Sequence, residues 1–217
     1  MSVPTILFAP KNLMHSLGVS SLGKIHYQLP PETLIQHTID RNEGVLNDTG
    51  ALVIKTGKFT GRSPKDKFTV VDSITEKSVD WNAINQPIDK KYFEKILAKM
   101  TDYFKDKELW VRDCFACANP KYRMNIRIYN ENPASNLFAY NMFLRPEEHE
   151  LEDFVPEWHI VHAPDFEADP ASDGTRQGNF TIVSFEKKMV LIGGSNYTGE
   201  IKKGIFSILN FILPHQK

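Results

Sequence analysis

Residues 180–213 read FTIVSFEKKMVLIGGSNYTGEIKKGIFSILNFIL. Two apolar runs, Phe180 to Phe185 and Met189 to Ile192, are separated by a charged turn, so they predict two adjacent strands. Gly193-Gly194 ends the second run, and apolar residues then recur at helical spacing from about Glu200 to Leu213. Because no helix separates the two strands, they are expected to pair antiparallel, with the following helix packed on the sheet.

The rest of the chain repeats this mixture of strand pairs and helices. Two more pairs of adjacent strands are predicted, Ala51 to Thr56 with Lys67 to Val71, and Leu109 to Phe115 with Arg123 to Tyr129. The remaining elements are helices beginning at Pro31, near Ile88 and at Pro133, and a strand at Trp158 to Val161. The sequence therefore predicts one α/β (α+β) domain, a mixed β-sheet with much antiparallel pairing, flanked by helices.

Composition indicates an ordinary soluble globular protein with nearly balanced charge. The chain has 217 residues, of which 41% are hydrophobic, and its 26 Lys and Arg residues nearly balance 27 Asp and Glu residues. This balance gives no reason to expect nucleic acid or an anionic membrane as a partner. Met1 to Pro10 lacks the pattern of a secretory signal, and no apolar run has the length of a membrane span, so a cytoplasmic location is expected.

The two cysteines, Cys114 and Cys117, have the spacing of a thiol redox motif. Such motifs normally lie where a strand meets a helix, whereas this pair closes a predicted strand. A zinc site would need a second ligand pair, and the candidates His159 and His162 fall on opposite faces of a strand. Buried structural cysteines are the favoured interpretation.

The first segment with a chemical signal is residues 56–67, TGKFTGRSPKDK. Its glycines allow the backbone to approach a ligand closely, and the guanidinium of Arg62 can hold a carboxylate or phosphate through two parallel hydrogen bonds. The spacing of Gly57 and Gly61 is one residue short of a Walker P-loop. An anion site and a solvated basic hairpin loop both remain open on composition alone.

The second such segment is residues 193–204, GGSNYTGEIKKG, which runs from a strand end into a helix start. Free N–H groups and the helix dipole favour anions there. Lys202 and Lys203 oppose that dipole, which favours a role toward a ligand, although ordinary surface lysines are the alternative. Farther along this helix, Phe206 and Phe211 lie away from its main apolar face, so part of the helix is expected to be covered by something else.

Both segments resemble the ATP-dependent phosphoenolpyruvate carboxykinase family. The N-terminal domain of that family carries a Thr-Gly-Arg-Ser-Pro-Lys-Asp-Lys loop and a later Tyr-x-Gly-Glu-x-Lys-Lys segment, and both patterns occur here, at residues 60–67 and 197–203. The likeness extends from about Thr56 to Pro214. It implies the N-terminal domain of the phosphoenolpyruvate carboxykinase fold.

The resemblance also implies an activity and the residues that carry it. The family is a group of cytoplasmic gluconeogenic enzymes, usually monomeric, that convert oxaloacetate and ATP to phosphoenolpyruvate, CO2 and ADP with Mn²⁺ and Mg²⁺-ATP. By motif, Arg62 would hold a substrate carboxylate and Tyr197 would hydrogen-bond the substrate. Lys203 would bind substrate and be the neutral-amine ligand of Mn²⁺, with Lys202 as a weaker catalytic candidate beside it.

Family members continue past the position of Pro214 into a metal-binding His, a true P-loop and a metal-binding Asp, which residues 1–217 do not contain. We therefore expect residues 1–217 to be the N-terminal substrate-side domain, without the C-terminal nucleotide-binding domain. Alone it should be inactive and should bind neither Mn²⁺ nor ATP tightly. The alternative is a free-standing, non-catalytic carboxylate- or phosphate-binding module, and the gene sequence beyond residue 217 would distinguish the two.

Overall fold

The computed structural model describes residues 18, 21, 23–59 and 61–216. The Met1 to Pro10 stretch and Thr60 of the first segment therefore lie outside the described residues. Ten strands are described: β1 Ile25–Tyr27, β2 Gly44–Leu46, β3 Leu52–Ile54, β4 Lys67–Val71, β5 Gln86–Asp89, β6 Leu109–Ala116, β7 Met124–Asn130, β8 Trp158–Ala163, β9 Phe180–Ser184 and β10 Met189–Gly193. The described helices are α1 Pro31–Asp40, α2 Lys90–Tyr103, α3 Pro133–Met142, α4 Glu148–Glu152, α5 Pro170–Asp173 and α6 Gly199–Ile212.

Eight of these strands form one mixed sheet in the order β1-β6-β7-β8-β10-β9-β4-β5. The β6/β7 and β9/β10 neighbours are antiparallel, as expected for adjacent strands, and the other five neighbour pairs are parallel. The mixed sheet flanked by helices is thus confirmed, but parallel pairing predominates. It does so because helical crossovers such as α3, between β7 and β8, return the chain in the same direction.

One of the three expected strand pairs is wrong. The strand that follows Ala51 does not pair with β4 but with β2, in a separate two-stranded ribbon. Only residues 47–51 connect β2 to β3, whereas residues 55–66 separate β3 from β4. A short connection is the usual geometry of a hairpin. The long segment is consequently free to form the candidate site.

Helix α2 begins two residues later than the apolar spacing indicated. Ile88 belongs to β5, where it is buried and pairs with Val70 of β4. Asp89 ends that strand and caps the helix, since its side chain accepts a hydrogen bond from the backbone N–H of Lys91 at 2.9 Å. Such a cap stabilises a helix by about 1 kcal/mol. None of the described helices has the length and apolar character needed to span a membrane.

Helices cover both faces of the sheet and create two apolar cores. On one face, α2 buries Phe93, Ile96 and Met100 against the sheet. On the other face, α6 buries Ile201, Ile205 and Ile208. Complete burial of each such side chain is worth roughly 1.5–3 kcal/mol, so these faces fix the position of α6 and of the segment that leads into it.

A buried ion pair connects three strands at the centre of the first core. Arg127 donates from Nε and Nη2 to the two carboxylate oxygens of Asp113 at 2.6 and 2.7 Å, and both side chains are 0% exposed. Tyr27 of β1 donates its hydroxyl proton to the same carboxylate at 2.7 Å. Burial and the neighbouring carboxylate raise the pKa of Tyr27, so its hydroxyl remains a donor.

Candidate functional site

The sheet brings the two glycine-containing segments to the same edge. Lys67, the last residue of the first segment, pairs with Thr181 at the start of β9. Thr181 also pairs with Ile192 at the end of β10, immediately before the second segment. Residues that lie about 130 positions apart in the chain are thus neighbours across a single strand.

Hydrogen bonds join the two segments directly. The Ser195 hydroxyl donates to the carbonyl of Phe59 at 3.4 Å, and the side-chain amide of Asn196 donates to the carbonyl of Lys55 at 3.2 Å. Asn132, which follows β7, donates in turn to the side chain of Asn196 at 2.9 Å. The second segment therefore holds the first segment against the sheet.

The first segment has its own buried anchor. Asp66 is 2% exposed and accepts hydrogen bonds from Nε and Nη2 of Arg176, both at 2.8 Å, and from the Gln177 amide at 2.8 Å. The buried Asn179 side chain donates to the Ser63 hydroxyl at 2.9 Å. Two members of the motif, Ser63 and Asp66, are thus held by structural contacts within the fold.

The second segment needs its first two glycines. A Cβ on Gly193 would lie 2.5 Å from the ring of Phe180. Gly194 has a φ of +68°, and a Cβ there would approach the Cα of Asn179 to 2.8 Å. Both a positive φ and such a close approach favour glycine. These residues shape the turn into α6.

A cluster of charged and polar side chains lies where α6 begins. The Lys203 ammonium donates to the Glu200 carboxylate at 3.2 Å and lies 5.4 Å from the centre of the Tyr197 ring. Lys67 donates to the carbonyl of Lys203 at 3.2 Å and to the hydroxyl of Ser207. Two cations, one buried carboxylate and one phenol therefore share this corner of the fold.

Burial has a clear electrostatic effect in this cluster. It lowers the pKa of Lys67, and the nearby Lys203 ammonium lowers it further, whereas the Glu200 carboxylate opposes the shift. Glu200 is 5% exposed, accepts a hydrogen bond from Lys203, and acts on Lys67 through its charge. Its carboxylate balances part of their charge.

The four site residues predicted from the sequence differ in burial and do not all lie together. Tyr197 and Lys203 are half-buried neighbours. Lys202 is exposed and borders a different groove, between α6 and the end of β6, of about 280 Å³. Arg62 is exposed in the first segment, and within the described residues no hydrogen bond or ion pair joins it to Tyr197 or Lys203. Arg62 is connected to these two residues only through the hydrogen bonds that join the first segment to the second segment.

Sequence reasoning missed the roles of Lys67 and Glu200. Glu200 precedes Lys203 by three residues on a predicted helix, a spacing that indicates an ion pair and could have been recognised. The contact of Lys67 with α6 depends on the sheet register, and no local signal in the sequence reveals it.

The described residues do not complete a metal site. They contain no group of three or more His, Cys, Asp or Glu side chains close enough to hold a metal ion. Lys203 and Glu200 lie together, but one amine and one carboxylate supply fewer ligands than Mn²⁺ requires.

The environment of the two cysteines is that of structural residues. Cys114 is buried in β6 and Cys117 is half-buried after it, both as free thiols. Burial raises the pKa of each thiol, which disfavours the reactive thiolate. The acidic residues around α4 are largely exposed, which is typical of a solvated helix face.

The fold and the site define an α/β protein whose candidate site for an anionic ligand lies at one edge of a mixed sheet. The family model for phosphoenolpyruvate carboxykinase matches residues 23–217. The chain therefore belongs to the ATP-dependent phosphoenolpyruvate carboxykinase family, as the two motifs indicated.

Several curated relatives carry the description phosphoenolpyruvate carboxykinase (ATP). The protein of Christiangramia forsetii is 56% identical over 190 residues, which are 88% of this chain and 36% of the relative. The protein of Flavobacterium johnsoniae is 53% identical over 208 residues, 96% of this chain and 39% of the relative. That of Amoebophilus asiaticus is 43% identical, over 97% of this chain and 41% of the relative. The chain thus spans about two-fifths of the length of these relatives.

Proposed function

We propose that residues 1–217 form the substrate-side domain of an ATP-dependent phosphoenolpyruvate carboxykinase, a carboxy-lyase of gluconeogenesis. The reaction converts oxaloacetate and ATP to phosphoenolpyruvate, CO2 and ADP. The observation that carries the proposal is the cluster at the start of α6, where Lys203 lies beside Tyr197 and is linked to the segment that bears Arg62. Because the chain spans about two-fifths of its relatives, we assign the nucleotide-binding part to a region outside these residues.

Each site residue has a role that suits its chemistry. Arg62 is exposed, so its planar guanidinium is free to hold a substrate carboxylate through two hydrogen bonds. The Tyr197 hydroxyl donates a hydrogen bond to the substrate. Lys203 binds substrate and supplies one amine ligand to Mn²⁺. Lys202 is the weaker catalytic candidate, since its side chain borders the other groove.

Electrostatics explain why cations gather here. Decarboxylation of oxaloacetate leaves an enolate, and positive charge placed beforehand near the developing oxygen lowers the barrier. Lys67 provides such charge in a partly buried corner, where it is screened less than at the surface, and Lys203 would hold the metal ion beside it. When bound, Mn²⁺ would add Lewis-acid stabilisation of the same charge, and Mg²⁺-ATP would supply the phosphoryl group.

The proposal includes partners and location. The ligands are oxaloacetate and phosphoenolpyruvate, with neither nucleic acid nor a membrane as a partner, and the complete enzyme is a cytoplasmic monomer. Residues 1–217 alone are inactive and bind Mn²⁺ and ATP negligibly, because a single amine supplies fewer ligands than Mn²⁺ requires. Calorimetric titration with Mn²⁺ and ATP tests this point, and tight ATP binding that depends on Mn²⁺ would contradict it.

A second candidate is a free-standing, non-catalytic module that binds a carboxylate or phosphate. It would use the same loop without chemistry, with the exposed Arg62 holding the anion in a segment that hydrogen bonds keep against the sheet. Sequencing the gene beyond residue 217 separates the two functions. A P-loop with flanking His and Asp codons supports the enzyme, and a stop codon supports the module.

The role of Arg62 is tested in a chimera in which residues 23–217 replace the matching segment of the Flavobacterium johnsoniae protein. Arg62→Gln should lower kcat/KM by a factor that corresponds to about 2–4 kcal/mol of transition-state stabilisation. The loss arises because a charge-assisted contact and the substrate orientation are lost. Lys65→Gln is the matched control, since Lys65 is also an exposed cation of the same segment. Equal kinetics for Arg62→Gln and the unmodified chimera would remove Arg62 from the substrate site.

A further inference from the structure

His162 lies at the end of β8 and is 0% exposed. Its Nε2 is 2.9 Å from the carbonyl oxygen of Ser195 in the second segment. Burial lowers the pKa of His162 to about 4, so the ring is neutral at physiological pH. A neutral ring has one N–H, and because the carbonyl can only accept, that proton must lie on Nε2.

The other ring nitrogen continues into a buried chain of hydrogen bonds. Nδ1 of His162 faces the Asn130 amide at 3.5 Å, Asn130 accepts from Asn136 at 3.0 Å, and Asn136 accepts from Nε of Arg112 at 3.0 Å. A guanidinium only donates and a carbonyl only accepts. The two ends therefore fix the direction of every bond between Arg112 and Ser195, including both amide orientations and the histidine tautomer.

Ser195 is the joint at which this chain meets the site. Its hydroxyl accepts from the backbone N–H of Tyr197 at 3.2 Å and donates to the carbonyl of Phe59 at 3.4 Å. The next residue, Asn196, reaches Lys55. The position of residue 195 thus sets the position of both segments, and His162 holds this residue through its backbone carbonyl.

We infer that His162 is a positioning residue, which fixes the Ser195 carbonyl and through it the placement of Tyr197 and of the segment that carries Arg62. This inference rests on the proposed function of those two residues. His162 shares its face of β8 with Ile160, which belongs to the apolar core. An apolar side chain would satisfy that core without the desolvation of an imidazole and two amides. The buried row of hydrogen-bonded side chains is therefore explained by the Ser195 carbonyl that it holds at its end.

The test compares two substitutions of His162 in the 217-residue chain. His162→Phe fills the same space without a donor, whereas His162→Gln carries an amide N–H near the position of Nε2. Loss of one buried hydrogen bond should speed hydrogen exchange at Tyr197 and in residues 55–59 by about tenfold in the Phe variant. Exchange in β8 and β10 should remain slow, and the Gln variant should stay close to wild type.

A titration with phosphoenolpyruvate, followed by NMR, supplies the functional arm. We expect affinity to fall about tenfold in His162→Phe and to recover in His162→Gln, since position and not bulk is restored. If His162→Phe does not fold, Ser195→Ala, which removes the hydroxyl joint, should give the same exchange pattern and the same loss of affinity.

The outcomes separate the inference from the proposed function. Unchanged exchange in both segments overturns the positioning role whatever the chain binds. Faster exchange with unchanged phosphoenolpyruvate affinity also overturns it and leaves the proposed function intact. If the wild-type chain shows no phosphoenolpyruvate binding while exchange responds as expected, the proposed function fails, and the assigned role at the substrate site fails with it.

Discussion

Replacing Asp66 by Asn tests whether the acidic residue of the first motif is an anchor. Asp66 lies four residues after Arg62 and accepts three hydrogen bonds, two from Arg176 and one from Gln177. Asparagine has nearly the same shape but offers one acceptor oxygen and turns an N–H₂ group toward a donor. The substitution therefore removes the charge and leaves at least one buried bond unmade.

The structure sets the size of the expected loss. Asp66 is 2% exposed, but the Arg176 side chain is 50% exposed and can regain water when its partner is lost. The ion pair should therefore be worth only about 1 kcal/mol. The unmatched amide and the unpaired Gln177 should add about 1–2 kcal/mol. We expect a total of about 2–3 kcal/mol, which for a chain of this size lowers Tm by about 4–12 °C.

Thermal unfolding followed by circular dichroism measures this loss. Lys65→Gln is the matched control, because Lys65 is exposed beside Asp66 and its replacement should change stability by less than about 0.5 kcal/mol. Hydrogen exchange should also show the 61–66 stretch opening in the Asp66 variant. A Tm within about 2 °C of wild type would refute the anchoring role of Asp66.

Four further outcomes are expected. Asp113→Asn should cost about 3–5 kcal/mol in denaturant unfolding, because it leaves a fully buried arginine without its counter-charge. Replacing Cys114 and Cys117 together by Ser should leave the chimera active, with stability lowered if a buried hydroxyl lacks a partner. Burial raises the pKa of Asp173, but hydrogen bonds from lysines outweigh this and hold it at about 2. Since that value lies below the unfolded one, Asp173 should stabilise the fold by about 2 kcal/mol above pH 4, and the advantage over Asp173→Asn should vanish toward pH 1. Phe206 is 60% exposed, so light scattering should show self-association that Phe206→Ser reduces.

Local patterns predicted the helices and most strands because those elements bury one regular face. The periodicity of α6 and the proline at the start of α3 both marked helices that the structure contains. Ile88 misled because a buried apolar residue near the end of an edge strand can continue the spacing of the next helix. The ribbon β2/β3 escaped prediction, since the choice of partner for β3 depends on loop lengths and tertiary packing.

The site was predictable to the extent that its chemistry lies in contiguous residues. The motif at residues 60–67 and the segment at 197–203 identified the candidates, and their family resemblance is confirmed by the family model. Lys67 and His162 could not be assigned in this way. Their contacts with α6 and Ser195 depend on the order of strands in the sheet, which no short stretch encodes.

These long-range contacts explain how a flexible kind of sequence can build a defined site. Glycine-containing segments lose more backbone entropy on ordering than other segments do, so they need partners that hold them. Here the partners are polar. Asp66 of the first segment accepts a hydrogen bond from Arg176, and the buried His162 donates to the carbonyl of Ser195 in the second segment. Each anchor acts on main chain or on a motif residue and leaves Arg62 exposed. The residues that make the segments rigid are therefore different from the residues that remain accessible. Substitutions at Asp66 or His162 should alter the loops without removing the side chains that we propose to bind a ligand.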